Sequence, residues 1–335
     1  MHVMGGGDVG GAKTQIMNTV TGLSRTNDVM LISFRAGPFA DEARERGIDV
    51  RVIERHNPFR AARTMRDLVD EFKPDIIHCH GGRANLMGAM VRRSRRIPII
   101  TTVHSDYRLD YLGSPLKQHT LGTANAIALR FLDFYQPVAD RMARTLIERG
   151  FDPERIVKIY NGMEFNRPEG EFDRAAYLRE TYGAEIEEGD VLCGIAARLT
   201  AVKDIATTVR GFAEALKTAP QLRLFIAGDG EDADMLKKLC DQLGVRERVT
   251  FCGWVSPVMP FFRAMDINLL SSVSETFPYS ILEGVCAGCA TICSDVGGMP
   301  ELIDTGENGY IFPVGDDKKL AEYMARLAND AALRH

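Results

Sequence analysis

The sequence lacks any long apolar run, and none approaches the roughly 18 to 20 apolar residues of a membrane-spanning helix. It also lacks the pattern of a signal peptide, because Met1–Met4 is too short for an apolar leader and glycines follow at once. Its seven cysteines are an odd number and are scattered along the chain. Together these features predict a cytoplasmic protein with reduced thiols and a cysteine set buried as core residues.

The chain also lacks aromatic residues interleaved with its basic ones, which argues against a nucleic-acid partner. The net charge is −5, but it is uneven. Residues 1–165 carry 24 Lys and Arg against 19 Asp and Glu, and residues 166–335 carry 17 against 27. The clustered arginines of the first half are Arg55, Arg60, Arg63, Arg66, Arg92, Arg93, Arg95 and Arg96. Such clusters either hold an anionic acceptor or the inner face of a cell membrane, or form a solvated helix face.

What the chain does contain is a repeated alternation of short apolar runs and longer helical patterns, which predicts parallel sheets with helices on both faces. A length of 335 residues suits two such α/β domains. Turn-forming and charged residues after Asn161 mark a linker, so we predict domains at 1–165 and 166–335. The predicted strands are His2–Met4, Val29–Phe34, Val50–Ile53, Asp75–Cys79, Ile97–Val103, Ile156–Ile159, Val191–Ala196, Leu222–Ala227, Val249–Cys252, Ile267–Leu270 and Ala290–Cys293.

The stretch from Ser274 to Gly284 is the strongest candidate for chemistry. Pro278 suits a first helical turn, where its missing amide proton costs nothing. The backbone amides of the helix start would bind phosphate; the predicted donors are Phe277, Tyr279 and Ser280. Glu283 lies one turn further along, where its carboxylate could accept hydrogen bonds from ribose hydroxyls or could simply pair with Arg or Lys. Glu275, before the helix, could hold a sugar in the same way.

Two basic residues, Arg198 and Lys203, follow the predicted strand Val191–Ala196. They would lie at the carboxyl end of that strand, where ligands of parallel sheets bind. Paired cations there would stabilise the negative charge that grows on a departing diphosphate.

The glycines Gly5, Gly7 and Gly10 match the dinucleotide-binding spacing GxGxxG. That reading requires an acidic residue at the end of the next strand, and Ser33–Ala36 contains none. A dehydrogenase is therefore disfavoured, although Gly10 and Gly11 still allow the backbone to approach a ligand.

Several side chains have the spacing of metal ligands, but none predicts a metal site. His78 and His80 share one side of a strand and His104 follows the next, yet no carboxylate supports them nearby. The spacing of Cys286, Cys289 and Cys293 is explained by small residues that pack at a helix end. The acidic pair Asp232 and Asp234 is explained by the preference for negative charge at a helix start.

In order along the chain, these patterns resemble the retaining family 4 glycosyltransferases. That family has the GT-B fold, two Rossmann-like domains with parallel sheets that face each other across a cleft. The stretches that carry the resemblance are Val9–Lys13, Asp75–His80, Thr102–His104, Tyr160–Gly162, Ala197–Leu199 with Lys203, Leu224–Gly230, Phe251–Trp254, the pair Glu275 and Glu283 with seven residues between them, and Gly297–Glu301.

The resemblance implies roles for individual residues. Arg198 and Lys203 would hold the diphosphate of a nucleotide-sugar donor, Glu283 its ribose, and the backbone near Val255 its base. Glu275 and the amides after it would hold the transferred sugar, and His104 would contact that sugar from the first domain. Gly10 and Gly11 would lie beside the phosphates and the acceptor.

The resemblance further implies a metal-independent hexosyltransferase without a cofactor, acting on a sugar or lipid-linked acceptor in cell-envelope polysaccharide or glycolipid synthesis. Departure and attack would occur on one face of the sugar, and the leaving phosphate would help to deprotonate the acceptor hydroxyl. Family members usually end with a helix that returns to the first domain, and this sequence stops at His335, near where that helix would begin. An epimerase or phosphorylase of similar fold and a non-catalytic nucleotide-sugar-binding protein are the alternatives.

Overall fold

The computed structural model describes residues 1–5, 11–54, 57–92, 96–106, 118–165 and 170–335. The chain divides into two compact units, Met1–Met163 and Glu164–His335, whereas the sequence analysis sets the domain boundary after residue 165.

The first unit is a parallel sheet with six strands among the described residues, in the order β3-β2-β1-β4-β5-β6. The strands are β1 (His2–Met4), β2 (Met30–Ser33), β3 (Asp49–Val52), β4 (Ile77–His80), β5 (Ile99–Val103) and β6 (Phe134–Pro137). The helices are α1 (Gly11–Leu23), α2 (Pro38–Glu45), α3 (Pro58–Phe72), α4 (Gly82–Arg92), α5 (Thr123–Leu129) and α6 (Asp140–Glu148).

The second unit repeats this plan in the order β12-β11-β10-β7-β8-β9, again with parallel pairing. The strands are β7 (Val191–Ala196), β8 (Leu222–Ala227), β9 (Val249–Gly253), β10 (Ile267–Leu270), β11 (Ala290–Ser294) and β12 (Tyr310–Phe312). The helices are α7 (Arg174–Tyr182), α8 (Ile205–Ala215), α9 (Ala233–Gln242), α10 (Met259–Arg263), α11 (Tyr279–Ala287), α12 (Met299–Leu302), α13 (Asp317–Asn329) and α14 (Ala331–Arg334).

Apolar cores lie on both faces of each sheet, as the near-continuous apolar strands predict. In β7, Cys193 and Ile195 are buried in one core with Phe212 of α8, whereas Leu192 is buried in another core with Phe261 of α10. Alternate strand residues thus face opposite helix layers. Burying each large side chain contributes on the order of 1.5 to 3 kcal/mol, so the sheet is a rigid platform for the loops at its ends.

The order of the strands reverses once in each sheet, between β1 and β4 in the first and between β7 and β10 in the second. In open α/β sheets the loops at the carboxyl ends of two such strands diverge, and the crevice between them is the usual ligand site. This topology therefore predicts that the segments that follow β7 and β10 form the ligand site of the second unit.

The sequence prediction was wrong about the last strand of the first unit. Residues 156–159 are not one of the six strands, although they lie beside β6 through a bridge between Tyr135 and Ile156 and amide hydrogen bonds to the carbonyl oxygens of Tyr135 and Pro137. The last of the six strands is β6, which the prediction missed. Polar and proline positions interrupt the apolar pattern of β6, and such interruptions are tolerated at a sheet edge. The short strand β12 was missed as well.

Among the described helices, none combines the length and the apolar character needed to cross a bilayer. Cys79, Cys193, Cys240, Cys286, Cys289 and Cys293 are buried and free, and Cys252 is half-buried and free. The structure thus confirms the predicted core positions of the cysteines.

Candidate active site

The loop that carries Arg198 is held in place by glycines of the neighbouring strand end. Gly228 has φ +145°, and a Cβ there would lie 1.8 Å from the Ala197 carbonyl oxygen. Gly230 has φ +159°, and its Cβ would lie 2.2 Å from the Leu199 carbonyl oxygen. Leu199 is buried and anchors the loop, whereas Arg198 is exposed. The two glycines therefore let the backbone approach closely and present the guanidinium group to solvent.

Lys203 ends a single 3₁₀ turn, Ala201–Lys203, directly before α8. Asp204 follows with φ 43°, and its carboxylate caps α8 by accepting a hydrogen bond from the Thr207 amide. The hydroxyl of Ser271, which follows β10, donates a hydrogen bond of 3.0 Å to the Lys203 carbonyl oxygen. The segments after β7 and β10 are thus joined directly at the crevice between these strands.

Lys203 and Glu275 form an ion pair in which Nζ of the lysine donates to Oε1 of the glutamate. Ser272 Oγ donates a second hydrogen bond, of 2.8 Å, to the same oxygen. The two charged side chains are only 20% and 13% exposed, so their attraction is screened less than that of a surface pair. The sequence analysis named both residues but did not foresee their pairing.

A second glycine contact supports the backbone at Glu275. Gly297 has φ +54°, and a Cβ there would lie 2.4 Å from the Thr276 carbonyl oxygen and 2.5 Å from that of Glu275. The next amide, that of Gly298, donates a 2.7 Å hydrogen bond to Thr276. The two glycines before α12 therefore act as a cradle for the segment that carries Glu275.

Helix α11 begins at Tyr279, and Pro278, which the sequence analysis assigned to a first helical turn, is its N-cap in extended conformation. No side chain caps this helix start. The side chains of Phe277 and Tyr279 are buried and Ser280 is half-buried. The amides of the first turn and the helix dipole can therefore stabilise an anion.

Glu283 lies one turn into α11 and is half-buried. Among the residues that the structure describes, no hydrogen bond or ion pair engages its carboxylate, so the predicted alternative of pairing with Arg or Lys is not found there. Burial raises its pKa to about 7 because a charged carboxylate loses hydration. Next to it, Gly284 lies against Asn268 of β10, whose Nδ2 a Cβ would approach to 2.1 Å. A half-buried carboxylate of this kind can accept hydrogen bonds from a ligand's hydroxyl groups.

The structure brings most of the predicted donor residues to one place. Arg198 and Lys203 follow β7 and Glu275 follows β10, while Glu283 lies on the helix after β10. Val255 follows β9, at the sheet edge, and packs against an apolar core. Two cations, an uncapped helix start and two carboxylates can together bind a phosphorylated, hydroxyl-rich ligand.

The predicted residues of the first unit form a separate group at the ends of β1, β4 and β5. Gly11 is the first residue of α1, and Gly10 lies outside the described residues. His78 and His80 are on β4, and His104 follows β5. The sequence analysis overlooked His2 of β1, whose Nδ1 lies 3.2 Å from Nε2 of His80.

Only one group among the described residues brings three side chains of metal-ligand type close together, namely His2, His78 and His80, with ligand nitrogens within 4.8 Å of one another. Cys289, by contrast, donates its thiol to the Phe262 carbonyl oxygen, and Asp232 is the N-cap residue of α9. A surface cavity of about 310 Å³ lies near Arg92 and Asp133. It is at the amino ends of β5 and β6, away from the predicted site residues.

Comparison with known proteins gave matches to two family models. The model described as Glycosyltransferase Family 4 matches residues 9–167, and that described as Glycosyl transferases group 1 matches residues 183–335. Among curated proteins, an uncharacterized glycosyltransferase of Methanocaldococcus jannaschii is 29% identical over 277 residues, which cover 78% of this chain and 68% of that protein. The N-acetyl-alpha-D-glucosaminyl L-malate synthase of Bacillus anthracis is 27% identical over 283 residues, covering 81% and 70%.

Among solved structures, the crystal structure of Anabaena HepE in complex with UDP-glucose has a TM-score of 0.85 with 21% sequence identity. The match covers 100% of this chain and 91% of that one. At this identity the match concerns the fold, and it confirms the predicted GT-B architecture of two parallel-sheet units.

Proposed function

This chain belongs to the family 4 glycosyltransferases and is a glycosyltransferase, and we propose that its second unit holds a nucleoside diphosphate sugar. In this proposal Arg198 and Lys203 bind the diphosphate, Glu283 accepts hydrogen bonds from the ribose, and Glu275 contacts the sugar. The backbone near Val255 contacts the base. The observation that carries the proposal is Glu283, a half-buried carboxylate without a partner among the described residues, one turn from an uncapped helix start.

The remaining donor contacts follow from charge. The diphosphate has the highest charge density of any group in the donor. It matches the charge of the two cations and of the backbone amides at the start of α11, where Phe277, Tyr279 and Ser280 lie. Lys203 already neutralises Glu275, so a bound donor would share that cation between the carboxylate and the phosphate. Gly10 and Gly11 are proposed to lie beside the phosphates and the acceptor, and His104 beside the transferred sugar.

We propose transfer with retention of configuration. The bond from the sugar's anomeric carbon to the leaving phosphate oxygen breaks, and a bond to the acceptor oxygen forms on the same face. The acceptor's hydroxyl proton passes to the leaving phosphate. Since a nucleoside diphosphate leaves readily, this chain contributes electrostatic stabilisation and positioning rather than a general acid. No metal is needed in this scheme, because Arg198 and Lys203 supply the positive charge.

We propose an acceptor that is a sugar or a lipid-linked sugar of negative charge, in cell-envelope polysaccharide or glycolipid synthesis. Arg60 and Arg63 of α3 are exposed. Arg92 of α4 is exposed too, but it pairs with Asp133, and Arg55, Arg93 and Arg95 lie outside the described residues. The name of the Bacillus relative includes L-malate, which is an anion. Attachment to an anionic membrane from the cytoplasmic side is part of this proposal, and it is dropped if binding to liposomes does not depend on anionic lipid.

The experiment is a thermal-shift screen of nucleoside diphosphate sugars that differ in base and in sugar. A true donor raises the melting temperature of the wild type and of the Glu180→Ala control, an exposed glutamate on α7, but not of Glu283→Ala. If no donor shifts the wild type, or if Glu283→Ala shifts equally, the proposed site is wrong.

Product analysis then separates the proposed transfer from the alternatives. A transferase releases nucleoside diphosphate and forms a glycoside, whose anomeric configuration NMR compares with that of the donor. An epimerase would return an altered nucleotide sugar, and a non-catalytic binder would return the donor unchanged. A chelator added to the same assay tests the metal-independent scheme, which predicts an unchanged rate.

A further inference from the structure

Four histidines lie side by side on one face of the first sheet. His2 of β1 pairs in register with His78 of β4, and Met4 with His80. On the other side His80 pairs in register with Thr102 of β5, two residues before His104. Because side chains alternate along a strand, all four imidazoles lie on the same face of the sheet, with His80 at the end of β4 and His104 just after β5. His2 and His80 are 5% and 3% exposed.

Hydrogen bonds link three of these rings into a chain with His80 at its centre. Nε2 of His80 lies 3.2 Å from Nδ1 of His2, and Nδ1 of His80 lies 3.4 Å from Nε2 of His104. Both ring nitrogens of His80 are thus engaged by other imidazoles. His78 is outside this chain, since its Nε2 is 2.7 Å from the Thr102 hydroxyl.

All members of the chain are neutral near pH 7. Burial lowers the pKa of His2 and His80 far below the ordinary value, and it lowers that of His104 to about 4. A neutral imidazole has one N–H group and one bare nitrogen. The hydrogen bonds must therefore all be donated in one direction through the three rings. Whether Nε2 of His104 carries a proton depends on whether Nδ1 of His80 carries one.

The ring geometry favours this hydrogen-bonded arrangement over a metal site. The His2 and His80 rings are nearly parallel, with 13° between planes, and His78 stacks on His80 with 4.4 Å between centroids and 23° between planes. The in-plane lone pairs of the stacked His78 and His80 rings run alongside each other, whereas a zinc ion requires nitrogens that converge on a point about 2.0 to 2.1 Å from each. The separations of 3.2 and 3.4 Å are those of hydrogen-bonded nitrogens.

We propose that His80 is a positioning residue that fixes the tautomer and the ring orientation of His104. This inference rests on the proposed function, in which His104 contacts the transferred sugar. His2 contacts the other ring nitrogen of His80. The three hydrogen-bonded rings therefore extend from β1 to His104. A hydrogen-bond partner at one ring nitrogen of a histidine determines which nitrogen carries the proton and how the ring is oriented.

Two substitutions test which nitrogen of His80 matters. The side-chain amide of asparagine occupies the place of Nδ1, and that of glutamine the place of Nε2. His80→Asn therefore keeps the contact to His104, and His80→Gln keeps only the contact to His2. Both bury one amide at the same position, so they are matched controls for stability. We expect His80→Gln to lower kcat about tenfold, with KM for the donor little changed, and His80→Asn to stay within about threefold of wild type. Equal losses in both variants would overturn the proposal.

A spectroscopic measurement needs no turnover and so separates this proposal from the proposed function. Long-range ¹H–¹⁵N correlation spectra of histidine-labelled protein report the tautomer of each ring. We expect one tautomer of His104 in the wild type and in His80→Asn, and a mixture of both in His80→Gln. An unchanged tautomer in His80→Gln would overturn the positioning role, whether or not transfer is detected.

Kinetics in a His104→Ala background and metal analysis complete the test. Without His104, the change from His80 to Gln is expected to leave kcat unaltered, since the residue acts only through His104. A further tenfold loss in that background would contradict the proposal. Stoichiometric zinc in the purified protein, or loss of the histidine spectra on chelation, would show that the cluster is a metal site instead.

Discussion

A Cβ on Gly228 would lie 1.8 Å from the carbonyl oxygen of Ala197, so the backbone that follows β8 touches the backbone at the start of the Arg198 loop. We predict that Gly228→Ala displaces this loop and lowers the free energy of unfolding by about 2 to 4 kcal/mol. Urea unfolding measures the loss. Donor affinity should fall with it, because Arg198 moves.

The matched control for that change is Gly244→Ala. Gly244 also has a positive φ, +68°, but a Cβ there would meet nothing within 4 Å. It should cost only about 1 kcal/mol of backbone strain and leave donor affinity intact. If the two variants were equally stable, the close approach at Gly228 would not hold the loop.

The ion pair between Lys203 and Glu275 is predicted to stabilise the empty protein as well as to serve the donor. Removing one partner leaves the other charge partly buried. We therefore expect Lys203→Met and Glu275→Gln each to destabilise, and the double variant to lose less than the sum. A double-mutant cycle in urea should give a coupling of about 1 to 3 kcal/mol. The exposed pair of Lys217 and Glu214, 68% and 53% exposed, is the control, with coupling below about 0.5 kcal/mol.

Glu283 should make the fold less stable as pH rises. Its pKa is raised from the ordinary value of 4.5 to about 7 in the folded chain, so the folded state binds the extra proton. The stability that this group contributes is therefore fully present below its pKa in the unfolded chain. It is lost as the pH rises through its pKa in the folded chain. Glu283→Gln should be more stable than wild type by about 1 to 3 kcal/mol near pH 8 and nearly equal to it near pH 4.5. The same difference at both pH values, measured against Glu180→Gln, would contradict this prediction.

The same carboxylate predicts a pH dependence of donor binding. Ribose hydroxyls donate hydrogen bonds, and an ionised carboxylate accepts them better than a protonated one. Donor affinity should therefore fall about tenfold between about pH 8 and about pH 5.5 in the wild type. Calorimetry on Glu283→Gln should show weaker binding at both values with little pH dependence. A variant that kept the wild-type slope would place the titrating group elsewhere.

Much of the fold could be predicted from the sequence because apolar runs of four to six residues reliably marked the buried parallel strands, such as β7 and β8. The edge strand β6 was missed because Pro137 and the polar Gln136 interrupt its pattern. The sequence pattern indicates a helix near Ala61–Phe72, and α3 begins three residues earlier, at Pro58, because its N-cap Asn57 was not recognised. Edges and caps depend on contacts that periodicity does not show.

The positions of the candidate donor residues after strand ends could be predicted because each follows a strand in a segment with turn chemistry, as Arg198 and Glu275 do. Their pairing was not, since Lys203 and Glu275 are brought together by strands that are distant in sequence. His2 was missed for a related reason. A single histidine in a three-residue strand carries no signal until the register sets it beside His78.

The most direct test of this account is the rate of sugar transfer by Arg198→Ala with a donor that binds the wild type. Arg198 is exposed, so its removal should leave the melting temperature unchanged, as should Arg179→Ala, the control on α7. We predict that Arg198→Ala lowers kcat/KM for the donor by about 100-fold or more, the usual cost of losing one charge-stabilising group in a transition state, whereas Arg179→Ala keeps it. Full transfer by a folded Arg198→Ala would contradict the assignment of the diphosphate site and, with it, the central claim.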